Sequence, residues 1–279
     1  MDVISGTDIR ILNKSLERGR IKYAIFDFDG TISILREGWE RIMEPVMIES
    51  ICGDHPVSDE VVRGVREFID ETTGIQTILQ MEGLVEMVKE FGLVPADKIL
   101  DSWGYKKIYN DRLMVPVRRR IADLQSGRKT LADCTVAGSI DFCQQLYQRN
   151  VIMYTASGTD QEDVRNEANV LGVDKWFKGG VYGAIGSVEE YSKDKVIKEI
   201  LRNNNLHGAE LVVLGDGPVE IRNAKENGAI AVGIASNEVT GRGWEQRKIE
   251  RLTKAGCDLL MPDFRQGRQL LEYLFDAKA

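Results

Sequence analysis

The chain has 279 residues, 43% of them hydrophobic, and 37 Lys and Arg against 44 Asp and Glu give a formal charge of −7. That length admits one large domain or two modest ones around a sizeable core. The acidic balance disfavours nucleic acid as a partner, because a phosphate backbone needs a basic surface, and no apolar stretch approaches the roughly 20 residues of a membrane helix.

The first twenty residues contain no apolar h-region, so no secretory signal is expected there. Cys52, Cys134, Cys143 and Cys257 are scattered without a C-x-x-C pair, and His55 and His207 sit at no metal-like spacing. These patterns speak against a zinc site or a disulfide framework and point to a reducing, cytoplasmic setting. The oligomeric state is not legible.

Residues 21–28 form a compact apolar run that ends in Asp27-Phe28-Asp29-Gly30-Thr31. Its length and its glycine terminator predict a buried strand entering a turn. Residues 34–133 differ, with helical patterns and no clear strand. Over 59–70, Val61, Val62, Val65, Phe68 and Ile69 fall at helical spacing behind an N-cap at Ser58 or Asp59. A longer helix is expected over 75–91 and another over 98–124, interrupted at Pro116. The polar stretch 125–130 reads as a return linker. The block 34–133 is therefore expected as an all-helical insertion in a core made of 1–33 and 134–279.

Beyond the insertion, apolar runs at 151–154, 211–214, 230–234 and 258–261 alternate with helical patterns at 138–149, 160–171, 193–203 and 221–227. That alternation predicts an α/β fold, a Rossmann-like parallel sheet with helices on both faces. In such sheets ligands bind at the carboxyl ends of the strands. Three polar strand ends would meet there: Asp27 to Thr31, Thr155 to Gly158, and Gly215 to Glu220.

Two carboxylates spaced as Asp27-x-Asp29 can be aimed differently as the chain turns. One can attack phosphorus while the other exchanges a proton with the leaving oxygen. Gly30 permits the tight turn. In Thr155-Ala156-Ser157-Gly158, a hydroxyl and successive N–H groups suit a phosphate oxygen, although such sequences also simply cap helices. Lys193 opens a helical pattern against the dipole preference, as a lysine serving an anion would; a solvated surface lysine is the plainer alternative. Asp216 and Glu220 add two carboxylates, and an all-oxygen set favours a hard cation such as Mg²⁺.

In this order the four segments resemble the haloacid dehalogenase-like (HAD) superfamily of phosphohydrolases, over roughly residues 20–33 and 136–264. The D-x-D-G-T motif of that family is matched by residues 27–31, and its G-D-x-x-x-[DE] motif by Asp216 and Glu220. The resemblance implies that Asp27 is the nucleophile and Asp29 the general acid–base. It implies that Thr155 and Lys193 (with Lys195 as runner-up) serve the phosphoryl group, beside Gly30, Thr31, Ala156 and Ser157. Mg²⁺ is expected on Asp27, Asp216, Glu220 and the backbone carbonyl of Asp29. Asp29 itself disfavours the dehalogenase and phosphonatase branches of the family, which lack this acid. The implied activity is hydrolysis of a small phosphorylated metabolite, such as a sugar phosphate. A phosphomutase of the same fold and a non-catalytic phosphate-binding protein are the rivals.

The resemblance also makes the helical block 34–133 a cap domain, of the kind the family calls a C1 cap; within it, Thr73, Thr77 and Gln80 would share one face of a helix over 72–81, with Gln76 beside Gln80. Such uncharged groups suit the reading of sugar hydroxyls, as caps in this family supply specificity; an ordinary polar helix face is the alternative. Arg36, Lys106, Lys107 and Arg112 are expected mostly in solvent, and Trp39 and Trp103 in core packing.

Overall fold

The computed structural model describes residues 2–185 and 192–276. A hairpin of β1 (Asp2–Val3) and β2 (Arg10–Ile11) precedes β3 (Tyr23–Phe26). Four helices follow: α1 (Glu40–Cys52), α2 (Asp59–Thr72), α3 (Thr77–Phe91) and α4 (Ser102–Gln125). The chain then runs through α5 (Ser139–Gln148), β4 (Ile152–Asp160), α6 (Gln161–Val170) and β5 (Gly180–Ala184). It ends with α7 (Lys193–Asn203), β6 (Leu211–Gly215), α8 (Pro218–Glu226), β7 (Ile230–Ile234), α9 (Gln246–Ala255), β8 (Leu259–Met261) and α10 (Gly267–Phe275).

The apolar runs become strands because both of their faces are covered. Side chains alternate along a strand. Ala24, Phe26, Val212, Leu214 and Val232 therefore enter one core, with Phe142, Val164 and Leu270 from α5, α6 and α10. Ile25, Leu211, Val213 and Ala231 enter the other, with Ile197, Ile221 and Leu252 from α7, α8 and α9. The sheet order is β1-β2-β8-β7-β6-β3-β4-β5. Every pair from β8 through to β5 is parallel, and only the N-terminal hairpin is antiparallel. The expected parallel α/β sheet is thus present. β3 lies between β4 and β6, so the ends of these three strands share one edge, where the chain leaves β3 in opposite directions.

The four helices after β3 bury their own core, with Met43, Met47, Val65, Leu84, Leu113 and Val117 among its residues. α4 continues through Pro116. The flanking Leu113 and Val117 are buried, and packing of that stripe outweighs one lost helical hydrogen bond. The helix expected through 72–81 is broken instead. α2 ends at Thr72, α3 begins at Thr77, and Gly74 turns the chain with φ +96. β5 was invisible to apolar patterning because two of its five residues are glycine.

Phe26 packs edge-on to Phe142 with centroids 6.1 Å apart, and Phe142 lies 4.9 Å from Phe264. Phe142→Ala should destabilise the protein by about 3–5 kcal/mol through lost transfer energy and the cavity left behind. Urea unfolding followed by circular dichroism measures this. A change under about 1 kcal/mol would mean that the ring cluster contributes little to the core.

Candidate active site

Asp27 follows β3 directly, and its N–H still donates to the Leu214 carbonyl of β6 at 2.8 Å. The carboxylate therefore emerges beside the end of β6, where Asp216 stands. The chain must then turn sharply. Gly30 adopts φ +72, and a Cβ there would run into the carboxylates of Asp216 and Glu238. The next residue, Thr31, is fully buried and donates its hydroxyl to Asp216 Oδ1 at 3.1 Å.

Lys193, at the start of α7, places Nζ 3.0 Å from Asp27 Oδ1 and 3.0 Å from Glu220 Oε2. Glu220 sits in the first turn of α8, and its other oxygen accepts the Gly217 N–H at 2.6 Å. Asp27, Asp216 and Glu220 are all buried, and one oxygen from each lies within 4.8 Å of the other two. A tight, buried, all-carboxylate group of this kind fits a hard divalent cation.

Burial and the facing carboxylates push Asp27 well above the usual carboxylate range, against the pull of Lys193. Burial also acts on Asp216, but Lys248 and Arg251 outweigh it and hold that carboxyl below its ordinary value. Lys248 Nζ lies 2.7 Å from Asp216 Oδ2 and 2.6 Å from Glu238 Oε1. Arg251 reaches the Asp216 carbonyl at 3.3 Å. Neither Glu238 nor this lysine and arginine of α9 stood out in the sequence as site residues, because no motif links them to the strand ends. The single available signal was their i, i+3 spacing on one helix face.

Asp29 points elsewhere. Its Oδ2 accepts the Thr159 hydroxyl at 2.8 Å and the Ser157 hydroxyl at 3.3 Å. Oδ1 is buried without a hydrogen-bond partner, 3.8 Å from Arg36 Nε. Burial raises Asp29 above the ordinary carboxylate range, against Arg36 and the two hydroxyls. An upward shift is the direction a proton donor needs.

The cavity above these groups holds about 80 Å³ and is lined by Asp27, Asp29, Lys193, Asp216 and Ser157 from the core side. Of the expected residues, Thr155 turns away. Its hydroxyl accepts the Tyr182 N–H at 3.2 Å across the β4–β5 pair. That pair shifts register after Ala156, and Ser157, not Thr155, reaches the cavity. Ala156 is buried in the core. Gly30 and Thr31 line no part of the cavity; they act on Asp216 instead. Lys195 donates its N–H to the Ser192 cap and leaves the ion-pair role to Lys193.

From the cap side, Thr73, Thr77 and Gln80 line the cavity while Gln76 does not. Gln76 is buried at the N-terminal boundary of α3. The break at Gly74 explains the difference, since these residues do not share one continuous helix. Thr73 donates its hydroxyl to the Ile69 carbonyl at 2.8 Å, and Gln80 its amide to Thr72 at 3.2 Å. The turn itself rests on the core: a Cβ on Gly158 would strike the Ile75 carbonyl, and one on Gly74 would come within 2.9 Å of Glu220 Oε2. Arg36 is buried, not solvated, and binds Glu167 at 2.7 Å and Asp163 at 3.0 Å. Lys106 is buried against Asp160 at 2.5 Å, whereas Lys107 and Arg112 pair on the surface with Asp111 and Glu49. Trp39 packs against the helical core, as expected, and also lines the cavity, whereas Trp103 is 55% exposed.

A family model described as haloacid dehalogenase-like hydrolase matches residues 21–228. Among solved structures, a predicted phosphoglycolate phosphatase from Haemophilus somnus is 13% identical with a TM-score of 0.60, covering 90% of this chain and 98% of that one. A β-phosphoglucomutase from Clostridium difficile is 14% identical with a TM-score of 0.60, covering 92% and 100%. A haloacid dehalogenase-like protein from Agrobacterium tumefaciens is 15% identical with a TM-score of 0.59, covering 92% and 100%. At these identities the likeness is one of fold. No curated protein matches the chain by sequence.

The two hydroxyls of β4 should separate by substitution. Thr155→Val should cost about 0.5–1.5 kcal/mol of stability and leave turnover of a phosphate ester within a few-fold. Ser157→Ala should lower turnover at least tenfold with little change in thermal midpoint. The opposite pattern would return the role to Thr155.

Proposed function

The chain belongs to the haloacid dehalogenase-like hydrolases, and we propose that it is a Mg²⁺-dependent phosphatase of small phosphomonoesters, working through an aspartyl phosphate on Asp27. One observation carries the reading. Asp27 faces Lys193 at 3.0 Å within a group of three clustered carboxylates, while Asp29, two residues on, is held apart by Ser157 and Thr159. The two aspartates thus have different surroundings, and different surroundings assign different tasks.

Asp27, Asp216, Glu220 and the backbone carbonyl of Asp29 would hold the Mg²⁺. Bound there, the ion supplies positive charge that keeps Asp27 ionised and draws the phosphoryl oxygens. Lys193 adds a fixed charge between Asp27 and Glu220 and steadies both. Lys248 and Arg251 favour the ionised form of Asp216.

In the first half-reaction an Asp27 oxygen forms a bond to phosphorus as the ester P–O bond breaks. The proton of Asp29 passes to the leaving oxygen, which departs as an alcohol. In the second, Asp29 takes a proton from water as the water oxygen bonds to phosphorus. The Asp27–phosphorus bond breaks, and inorganic phosphate and the free carboxylate result. The cavity has room for roughly five to eight waters by the usual measure. That space favours a compact metabolite over a protein or nucleic-acid substrate. Thr73, Thr77 and Gln80 in its roof are uncharged, as expected for a hydroxylated leaving group.

Turnover of p-nitrophenyl phosphate should vanish in excess EDTA and return with added Mg²⁺; full activity in EDTA would refute the metal role. Asp27→Asn should remove turnover while leaving the thermal midpoint near that of the wild type, since the amide cannot form the acyl phosphate. Mass spectrometry should find a phosphoryl adduct in the wild type and none in this variant.

Asp29→Asn should slow turnover by about 10²–10⁴-fold through loss of proton transfer, with wild-type rates contradicting the assignment. Release of free phosphate, with no phosphorylated isomer of a hexose 1-phosphate, separates the phosphatase from a mutase.

A further inference from the structure

The half of the cavity next to Asp29 contains polar groups that the hydrolytic steps leave unused. Tyr109, on α4 of the cap, lines the cavity and is 4% exposed. Its hydroxyl makes no hydrogen bond to any described residue. Beside it, Arg36 commits Nε and Nη2 to Glu167 and Asp163. Nη1 of Arg36 has no hydrogen-bond partner among the described residues. After burial, Arg36 and Asp29 act most strongly on the Tyr109 phenol, the first lowering and the second raising its affinity for its proton. All three groups line the same cavity. Trp39 and Leu113 complete this wall with apolar surface.

We propose that Tyr109, together with the free Nη1 of Arg36, forms a leaving-group subsite selective for phosphomonoesters that carry an uncharged hydroxyl close to the ester oxygen. The proposal rests on the phosphatase reading above and names its substrate class. Asp29 and Tyr109 bound the same small cavity, so a leaving group whose ester oxygen takes the Asp29 proton occupies the space that Tyr109 lines. A phenol both donates and accepts, and Nη1 only donates, so a hydroxyl satisfies the pair. The cluster's charge argues against a second anion. Arg36 already faces Asp29, Asp163 and Glu167. Even with Glu167 pushed up to about 7 by its burial, the negative side is at least balanced. A substrate carboxylate or second phosphate would enter a neutral or negative pocket.

The test compares kcat/KM with Mg²⁺ for three probes: glycerol 3-phosphate, n-propyl phosphate and 3-phosphoglycerate. The first two differ by hydroxyls on the same carbon skeleton, and the third adds a carboxylate. In the wild type, glycerol 3-phosphate should exceed each of the others at least tenfold. In Tyr109→Phe the preference over propyl phosphate should shrink several-fold, chiefly through KM. A structural role would instead lower both substrates together and leave their ratio unmoved. Removing an unpaired buried hydroxyl should leave the thermal midpoint unchanged or higher; a clear drop would mean that the phenol stabilises the fold and would overturn the proposal. An unmoved ratio, or preference for 3-phosphoglycerate, would also overturn it. Failure of the wild type to hydrolyse any of the three, or p-nitrophenyl phosphate, would instead sink the phosphatase reading itself.

Discussion

Asp27, Asp216 and Glu220 converge on Lys193 where all four side chains are at least nine-tenths buried. Taking charges out of water costs several kcal/mol each unless partners replace the water. Each carboxylate accordingly has a donor: Lys193 shared by Asp27 and Glu220, the Gly217 N–H for Glu220, and Thr31 and Lys248 for Asp216. Even so, acids outnumber bases at the centre of the group, and Asp27 is left the least compensated. That imbalance falls on the residue assigned the nucleophilic role. The parallel sheet makes it possible, since only strands running the same way bring these side chains to one edge.

The cap meets this edge through polar contacts. Lys106 binds Asp160, Arg247 binds Asp70 through both carboxylate oxygens, and Arg36 ties the segment entering the cap to α6. The cap's apolar residues are spent in its own core. Of these pairs only Arg247–Asp70 is exposed, where a pair contributes about 0–1 kcal/mol; Arg36 and Lys106 are buried, and breaking their pairs would leave uncompensated buried charge. Ile75 also fits closely on Gly158, and Gly74 on Glu220, so backbone contacts seat the helical block on the site as well as charged ones.

The sheet, the strand ends and the acidic motifs were legible in the sequence because each is a local pattern. Apolar runs of four or five residues punctuated by glycine fix a buried parallel strand, and Asp27-x-Asp29 and Asp216 to Glu220 lie within single turns. What was not legible depends on relations across the chain. Thr155 and Ser157 are equivalent by sequence, and the register of β4 against β5 chooses between them. Arg36 resembles a surface arginine until α6 delivers Asp163 and Glu167 to it. Lys248 and Glu238 lie more than twenty residues past Asp216 and follow no motif. In the cap, periodicity carried one helix through Gly74, and a turn pressed against the core replaced it.

The segments entering and leaving the cap run side by side. Ser33 bridges Thr135, Ile34 N–H donates to the Cys134 carbonyl at 3.0 Å, and Val136 N–H donates to the Ile32 carbonyl at 2.9 Å. Arg120 fastens α4 to the carbonyls of Leu35 and Glu37 at 2.8 Å each. The core is thus stitched shut beneath the insertion, whatever is attached above the stitch. The roughly one hundred residues between those segments thus leave and rejoin the core at one doorway, so a force pulling on the helices is borne by this short seam of backbone hydrogen bonds before it reaches the sheet.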